Sequence, residues 1–251
     1  MESGEWEPVK SPINAAPASA DQAKAARPGK NIIVLNEYPI AYVRNPKVAN
    51  SSIKLALARL AAGSDPDKKM RGTTKDLYWR KNKRAAMVGL HQFRKDYKGY
   101  FCFSFVRNPF DRLVACYNNK VVENTRVSTA MGTAGIRLGM PFADFVDIVC
   151  ATPDPDSDVH LRSQAFIMVD SKDRVFPDFI GYLERIKADW ERLNAILTER
   201  GAPSLGALPT QNVRRGGKSD LATYYTSQAM REKVFERYRD DFRHFYPDVK
   251  P

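Results

Sequence analysis

One pattern constrains this chain more than any other: a short β-branched or aromatic run, a polar turn, and a helical pattern that begins at once. The first instance is Ile40-Ala41-Tyr42-Val43. It runs into Arg44-Asn45-Pro46-Lys47-Val48-Ala49-Asn50-Ser51-Ser52, after which Ile53, Leu57 and Leu60 recur at helical spacing. The second is Tyr100-Phe101-Cys102-Phe103-Ser104-Phe105-Val106, which runs into Arg107-Asn108-Pro109. There Asn108 suits a helix N-cap, Pro109 the first helical position, and Asp111 the first turn, where its charge meets the positive end of the helix dipole. Two such units, with strands alternating with helices elsewhere, predict a single α/β domain whose mostly parallel central sheet is flanked by helices.

The remaining segments fit around these two. Residues 1–30 mix four prolines with small and charged residues and read as a disordered or loosely docked arm, leaving 31–251 as the folded domain. Ile32-Ile33-Val34-Leu35 reads as a further strand. Asn50 or Ser51 is expected to cap the first helix and Gly63 to end it. Residues 64–84 form a polar, strongly basic connector with Arg71, Lys75, Arg80, Lys81, Lys83 and Arg84. Residues 126–140 read as a loop over a site. A helix is expected around Phe142, Phe145, Val146 and Val149, a strand at Phe179-Ile180-Gly181-Tyr182, and a helix through Trp190, Leu193, Ile196 and Leu197. One closing amphipathic helix is expected from Ser227 to about Phe245.

The formal net charge of +11 calls for an anionic partner, without choosing among nucleic acid, acidic glycan, membrane surface and nucleotide. The three cysteines lack metal-ligand spacing and read as reduced thiols. No apolar run reaches membrane-spanning length, and the N-terminus lacks a signal-peptide pattern; the chain is expected in a cytoplasm, that of a bacterium.

The chemistry concentrates at the two turns. A helix N-terminus presents unsatisfied N–H groups and the positive end of a dipole, so it stabilises an anion. Lys47 adds a full charge, and the Ser51 and Ser52 hydroxyls donate to phosphate or sulfate oxygens. A Walker loop needs glycines and a lysine immediately before its hydroxyl residue; here the lysine precedes the hydroxyls by four and five residues. Arg107, at a strand end beside a helix start, suits bidentate phosphate binding. Two such turns suggest a ligand with two separated anionic groups. Taken singly, each turn is equally compatible with an ordinary capped helix, an exposed lysine and a structural arginine.

Together these residues resemble the sulfotransferases that use 3′-phosphoadenylyl sulfate. Pro46-Lys47-Val48-Ala49-Asn50-Ser51-Ser52-Ile53-Lys54 is similar to their 5′-phosphosulfate loop, and Phe105-Val106-Arg107-Asn108-Pro109-Phe110-Asp111-Arg112-Leu113-Val114 to their 3′-phosphate motif. The form is nearest to the carbohydrate sulfotransferases of the chondroitin/dermatan, HNK-1 and heparan 2-O type and their bacterial relatives. Similarity extends to His160-Leu161-Arg162-Ser163-Gln164, to the segment around Phe179, and to the tail from Tyr224-Tyr225 to Phe242, so it covers roughly residues 40–246. The resemblance implies a P-loop-like sulfotransferase fold and transfer of a sulfuryl group to a hydroxyl of a carbohydrate or glycolipid acceptor, leaving adenosine 3′,5′-bisphosphate, with no metal. Lys47, Val48, Ala49, Asn50, Ser51 and Ser52 would hold the 5′ end, with Lys47 also stabilising the leaving group. Arg107 would hold the 3′-phosphate, and Arg214, Arg215 and Lys218 would close over the nucleotide. One departure matters: where the family has a serine eight residues after the motif arginine, this chain has Ala115.

Of the three histidines, His91 lies between the two turns and is the first candidate for a general base. His160 is the second candidate or an acceptor contact, and His244 is structural. Three other readings stand beside this one: a P-loop phosphotransferase binding ATP, a basic nucleic-acid-binding protein, and a sulfotransferase fold that has lost activity.

Overall fold

The computed structural model describes residues 29–62, 76–209 and 220–251. Almost all of the N-terminal arm, the Gly63 stop, Arg71, Lys75 and the basic loop bearing Arg214, Arg215 and Lys218 lie outside the described residues.

Five strands form one sheet: β1 (Ile32–Leu35), β2 (Ile40–Val43), β3 (Ala85–Val88), β4 (Phe101–Val106) and β5 (Phe179–Tyr182), in the order β3-β1-β2-β4-β5. β2, β4 and β5 pair in parallel, whereas β1 is antiparallel to both β2 and β3. The sheet is therefore mixed. β1 alone is reversed, because only a short link (Asn36 to Pro39) joins it to β2, and so short a link can make only an antiparallel neighbour. The other four strands end at the same edge.

That edge is where the two turns emerge. From β2 the chain next enters the sheet at β3, on one side; from β4 it enters at β5, on the other. β2 and β4 thus flank the point where connections diverge, the place where open α/β sheets bind ligands.

Alternation along the strands sorts side chains to two faces. Ile33, Leu35, Tyr42, Phe101, Phe103, Phe105 and Phe179 face α1 (Asn50–Ala62), α2 (Asp76–Lys81) and α8 (Ile186–Glu199), burying Leu57, Trp79, Trp190 and Leu193. Ile32, Val34, Ala41, Val43, Cys102 and Val106 face α3 (Leu90–Asp96), α7 (Gln164–Met168) and α11 (Arg239–Phe245). A third, all-helical cluster joins α4 (Pro109–Tyr117), α6 (Phe142–Ala151), α9 (Leu221–Tyr224) and α10 (Gln228–Arg237) around Phe110, Phe145, Tyr225 and Phe242. α5 (Thr129–Thr133) is a single turn capped by Ser128 within the expected loop. Among the described residues, no helix is long and apolar enough to cross a membrane.

Three local expectations are corrected. The described part of the basic connector contains a helix, α2, because Trp79 is fully buried in the core. The first helix is capped by neither Asn50 nor Ser51: the amide of Ile53 bonds the carbonyl of Ala49, which places the cap one residue earlier. The closing helix breaks at Tyr238 into α10 and α11. Tyr238 is buried and donates its hydroxyl to the Leu161 carbonyl at 2.8 Å, a contact that re-aims the last turns.

Glycine is required at position 181. A Cβ there would fall inside the ring of Phe105, its register partner on β4. Gly181→Ala must displace that ring two residues before Arg107, and is expected to cost about 1–3 kcal/mol in urea unfolding.

Candidate functional site

The loop after β2 reaches α1 through unusual backbone. Lys47 and Ala49 both adopt positive φ, 68° and 47°, without being glycines. Each such residue costs on the order of 1–3 kcal/mol and persists only where its surroundings over-determine it. Those surroundings are visible. Arg112, 2% exposed, donates from Nε to the Pro46 carbonyl at 3.2 Å. Asn45, fully buried, donates from Nδ2 to the Phe105 carbonyl and to Gln164 Oε1, both at 2.9 Å. The Tyr42 hydroxyl donates to Asn50 Oδ1 at 3.1 Å, fixing the first helical side chain. Ser51 is half-buried, Ser52 is buried at 5% exposure, and Val48 lies wholly in the core.

The second turn meets the first. Arg107 donates from Nη1 to the Lys47 carbonyl at 3.5 Å, and Asn108 caps α4 by accepting from the Phe110 amide. Gln164 ties the turns together. Its Oε1 accepts from the Arg107 amide at 3.0 Å as well as from Asn45, while its Nε2 donates to the Arg107 carbonyl at 2.8 Å and to Asp241 at 3.3 Å. Asp241 also accepts from the Ala165 amide, and burial pushes its carboxyl up to about 6.

Burial is also the main force on both candidate cations. It pulls Lys47 down to about 8, with Lys120 and Arg107 pushing the same way and Cys116 and Glu123 opposing. It lowers Arg107 too, against the carboxylates of Asp111 and Glu184. The Lys47 Nζ donates to Asn119 Oδ1 at 2.8 Å. Asn119 lies in a π-helical turn, Asn118–Val122, that continues α4; such widened turns recur at functional sites. Ala115, on α4, is partly accessible and offers only a methyl group where a hydroxyl was expected.

The two candidate bases are placed differently. His91 is exposed on α3, beyond β3, and β1 lies between β3 and the β2 loop. His160 is half-buried, and the charges of Lys47 and Lys120 act on it; burial first and then these cations lower its pKa, while Asp158 opposes them. Its Nδ1 lies 2.7 Å from Asp158 Oδ1. The turn that carries it is braced from both ends: Arg162 donates to the Ser157 and Pro155 carbonyls, and Arg237 donates to Asp154 at 2.7 Å. Arg107 thus meets Lys47 by a hydrogen bond, and His160 feels the charges of Lys47 and Lys120 but bonds only Asp158 among these groups, while His91 lies on the far side of β1. His244 lies 3.0 Å from Asp173, beside the Arg243–Asp173 ion pair. Asn45, Arg112, Asn119, Lys120, Asp158 and Gln164 were missed as site residues; Asn45, Arg112 and Gln164 lie inside motif segments, but nothing in the sequence marks them as buried joints.

Residues 30–247 match the family model described as "Sulfotransferase family". The chain belongs to the sulfotransferase family. Among curated relatives, this sulfotransferase is 24% identical over 241 residues to Carbohydrate sulfotransferase 10 of Xenopus laevis, covering 85% of this chain and 66% of the relative. It is 28% identical over 170 residues to human Carbohydrate sulfotransferase 14, covering 66% of this chain and 37% of the relative. The chain therefore spans under two thirds of the length of each relative. No solved structure matches.

The Gln164 joint makes a direct prediction. Gln164→Leu fills the space but takes the partner from one of the two Asn45 amide hydrogens, from the Arg107 amide and carbonyl, and from one Asp241 oxygen. Each unpaired buried group costs roughly 1–3 kcal/mol, so a total loss of about 3–5 kcal/mol is expected by chemical denaturation. A loss below about 1 kcal/mol would show that the joint carries little of the fold.

Proposed function

We propose that this sulfotransferase moves the sulfuryl group of 3′-phosphoadenylyl sulfate to a hydroxyl of a carbohydrate acceptor. The observation that carries the proposal is the junction of the two turns, where Lys47, held at φ 68°, meets Arg107 through its own carbonyl at 3.5 Å. A nucleotide with anionic groups at both ends fits that pairing: one cation stands at each turn, and each turn leads into a helix N-terminus. The names of both relatives support a carbohydrate acceptor.

When bound, the donor supplies an activated sulfuryl group on a phosphate leaving group. In this reading the amides opening α1 and the Ser51 and Ser52 hydroxyls hold the 5′ end. Lys47 places its charge against the leaving oxygen, and Arg107 grips the 3′-phosphate. His160 takes the proton of the acceptor hydroxyl at Nε2, since Asp158 occupies Nδ1. This puts His160 ahead of His91 as the base, on the grounds that the charges of Lys47 and Lys120 reach it.

Calorimetry with adenosine 3′,5′-bisphosphate against ATP and AMP tests the donor. Selective binding of the bisphosphate is expected, weakened roughly 10- to 100-fold in Lys47→Ala and in Arg107→Ala, from the ~1.5–3 kcal/mol of a charge-assisted hydrogen bond. Because the free Lys47 ammonium titrates near 8, affinity should fall as pH rises through that value, and binding at pH 8 to 9 should take up a proton. Equal affinity for all three nucleotides would sink the reading. For the base, His160→Ala should abolish transfer from 3′-phosphoadenylyl sulfate to a panel of p-nitrophenyl glycosides while bisphosphate binding survives. His91→Ala should transfer at close to the parent rate; the reverse pattern would return the role to His91.

A further inference from the structure

Asp158 makes more contacts than an orienting carboxylate needs. Its Oδ1 lies 2.7 Å from His160 Nδ1 and also accepts from the His160 backbone amide at 2.9 Å, so one oxygen fixes both the turn and the ring. Its Oδ2 accepts from the Ser128 hydroxyl at 2.6 Å. Ser128 belongs to a different segment: it is the N-cap of α5, accepting from the Met131 amide at 3.2 Å. The stretch between the π-helical turn and α6 is thereby pinned to the histidine through one carboxylate.

We propose that Asp158, itself held by Ser128, is a positioning residue that locks His160 in the Nδ1–H tautomer and leaves Nε2 bare for the acceptor hydroxyl. This rests on the reading of His160 as the base. An ionised carboxylate only accepts hydrogen bonds, so the ring nitrogen facing it must carry the proton. Asp158 stays ionised: burial opposes its charge, yet the hydrogen bonds from His160 and Ser128 hold its carboxyl well below the usual range. Ser128 also fixes the second oxygen, so the carboxylate is oriented from both sides.

The charged groups acting on the imidazole belong to three segments. Lys120, on the π-helical turn, and Lys47, on the β2 loop, act on it through their charges, and Asp158, on its own turn, through charge and a hydrogen bond. Cys116 on α4, beside Lys47, is held as the neutral thiol near 11 by burial. The two lysines push the imidazole toward its neutral, proton-accepting form, while Asp158 pulls it toward the charged form. Positioning by Asp158 therefore comes with an opposing electrostatic effect, and the two effects separate experimentally.

Long-range proton–nitrogen NMR of the imidazoles reads the tautomer without any acceptor, and the chain has only three histidines to resolve. The parent protein should show His160 as the Nδ1–H tautomer. In Asp158→Asn that preference should be lost and the His160 titration midpoint should move to lower pH; Lys120→Met should move it to higher pH. Ser128→Ala, which keeps the carboxylate, should weaken the tautomer preference and serves as the second variant if Asp158→Asn does not fold. In transfer assays on p-nitrophenyl glycosides, Asp158→Asn should lower kcat on the order of 10²-fold with KM for 3′-phosphoadenylyl sulfate unchanged. The acid limb of its pH profile should move down, a shift that a merely structural role would not produce.

An Nε2–H tautomer in the parent protein, or an unchanged tautomer in Asp158→Asn, would overturn the proposal. The two readings fail separately. Absence of bisphosphate binding by the parent protein would remove the donor assignment. A fully active His160→Ala would remove the base, whereas a dead His160→Ala beside a fully active Asp158→Asn would remove only the role of Asp158.

Discussion

The joint between the two turns depends on the side-chain amide of Gln164. One fully buried carboxamide accepts from Asn45 and from the Arg107 amide and donates to the Arg107 carbonyl and to Asp241. A side chain with both donor and acceptor ends is needed, because the groups it meets are themselves mixed: two N–H donors on one side, a carbonyl and a carboxylate on the other. Leucine would fill the volume and satisfy none of them. Glutamate would accept from the first pair and repel the second. Through this amide the two turns share one frame with α11, so the position of Lys47 relative to Arg107 is set by the core and not by the loops.

That frame explains how the loop after β2 tolerates left-handed backbone without glycine. Glycine at 47 and 49 would remove the strain, but glycine at 47 would also remove the ammonium group. The fold keeps the lysine and holds the turn from outside, with Arg112 on the Pro46 carbonyl and Asn45 on the β4 end. Topology supplies the rest. The chain next enters the sheet on opposite sides after β2 and after β4, and each of the two turns leads into a helix N-terminus at the edge where connections diverge.

Much of this was legible in the sequence, for identifiable reasons. β4 announces itself because Phe101, Phe103 and Phe105 alternate with smaller residues, and its two faces are both buried. The turn at Arg107 is legible because Asn108 and Pro109 each have one preferred place at a helix start. What periodicity does not carry is spatial order. His91 lies between the two turns along the chain, but the antiparallel β1 inserts between β2 and β3 and moves α3 away from the loop. His160 lies 113 residues after Lys47 along the chain, yet the charges of Lys47, on the β2 loop, and of Lys120, on the π-helical turn after α4, both act on it. The break at Tyr238 was equally hidden: α10 and α11 keep compatible apolar spacing, and the residue at the break is held by a tertiary hydrogen bond to Leu161.

The two turns are electrostatically unequal. Arg107 has two carboxylates, Asp111 and Glu184, offsetting its burial, and Glu184 is fixed there by the Asn108 amide and the Tyr246 hydroxyl. Lys47 has less compensation: a neutral buried thiol, the side-chain carbonyl of Asn119 and the charge of Glu123, set against Lys120 and Arg107. In the proposed reading, an anion at the β2 loop would meet a less compensated cation than one at the β4 turn, where resident carboxylates already share the arginine. A serine at 115 would have added a donor on the weaker side; the alanine leaves the difference in place. In the proposed reading, the two ends of the nucleotide therefore meet unequal surroundings: a little-compensated lysine at the β2 loop and an arginine already shared by two carboxylates at the β4 turn.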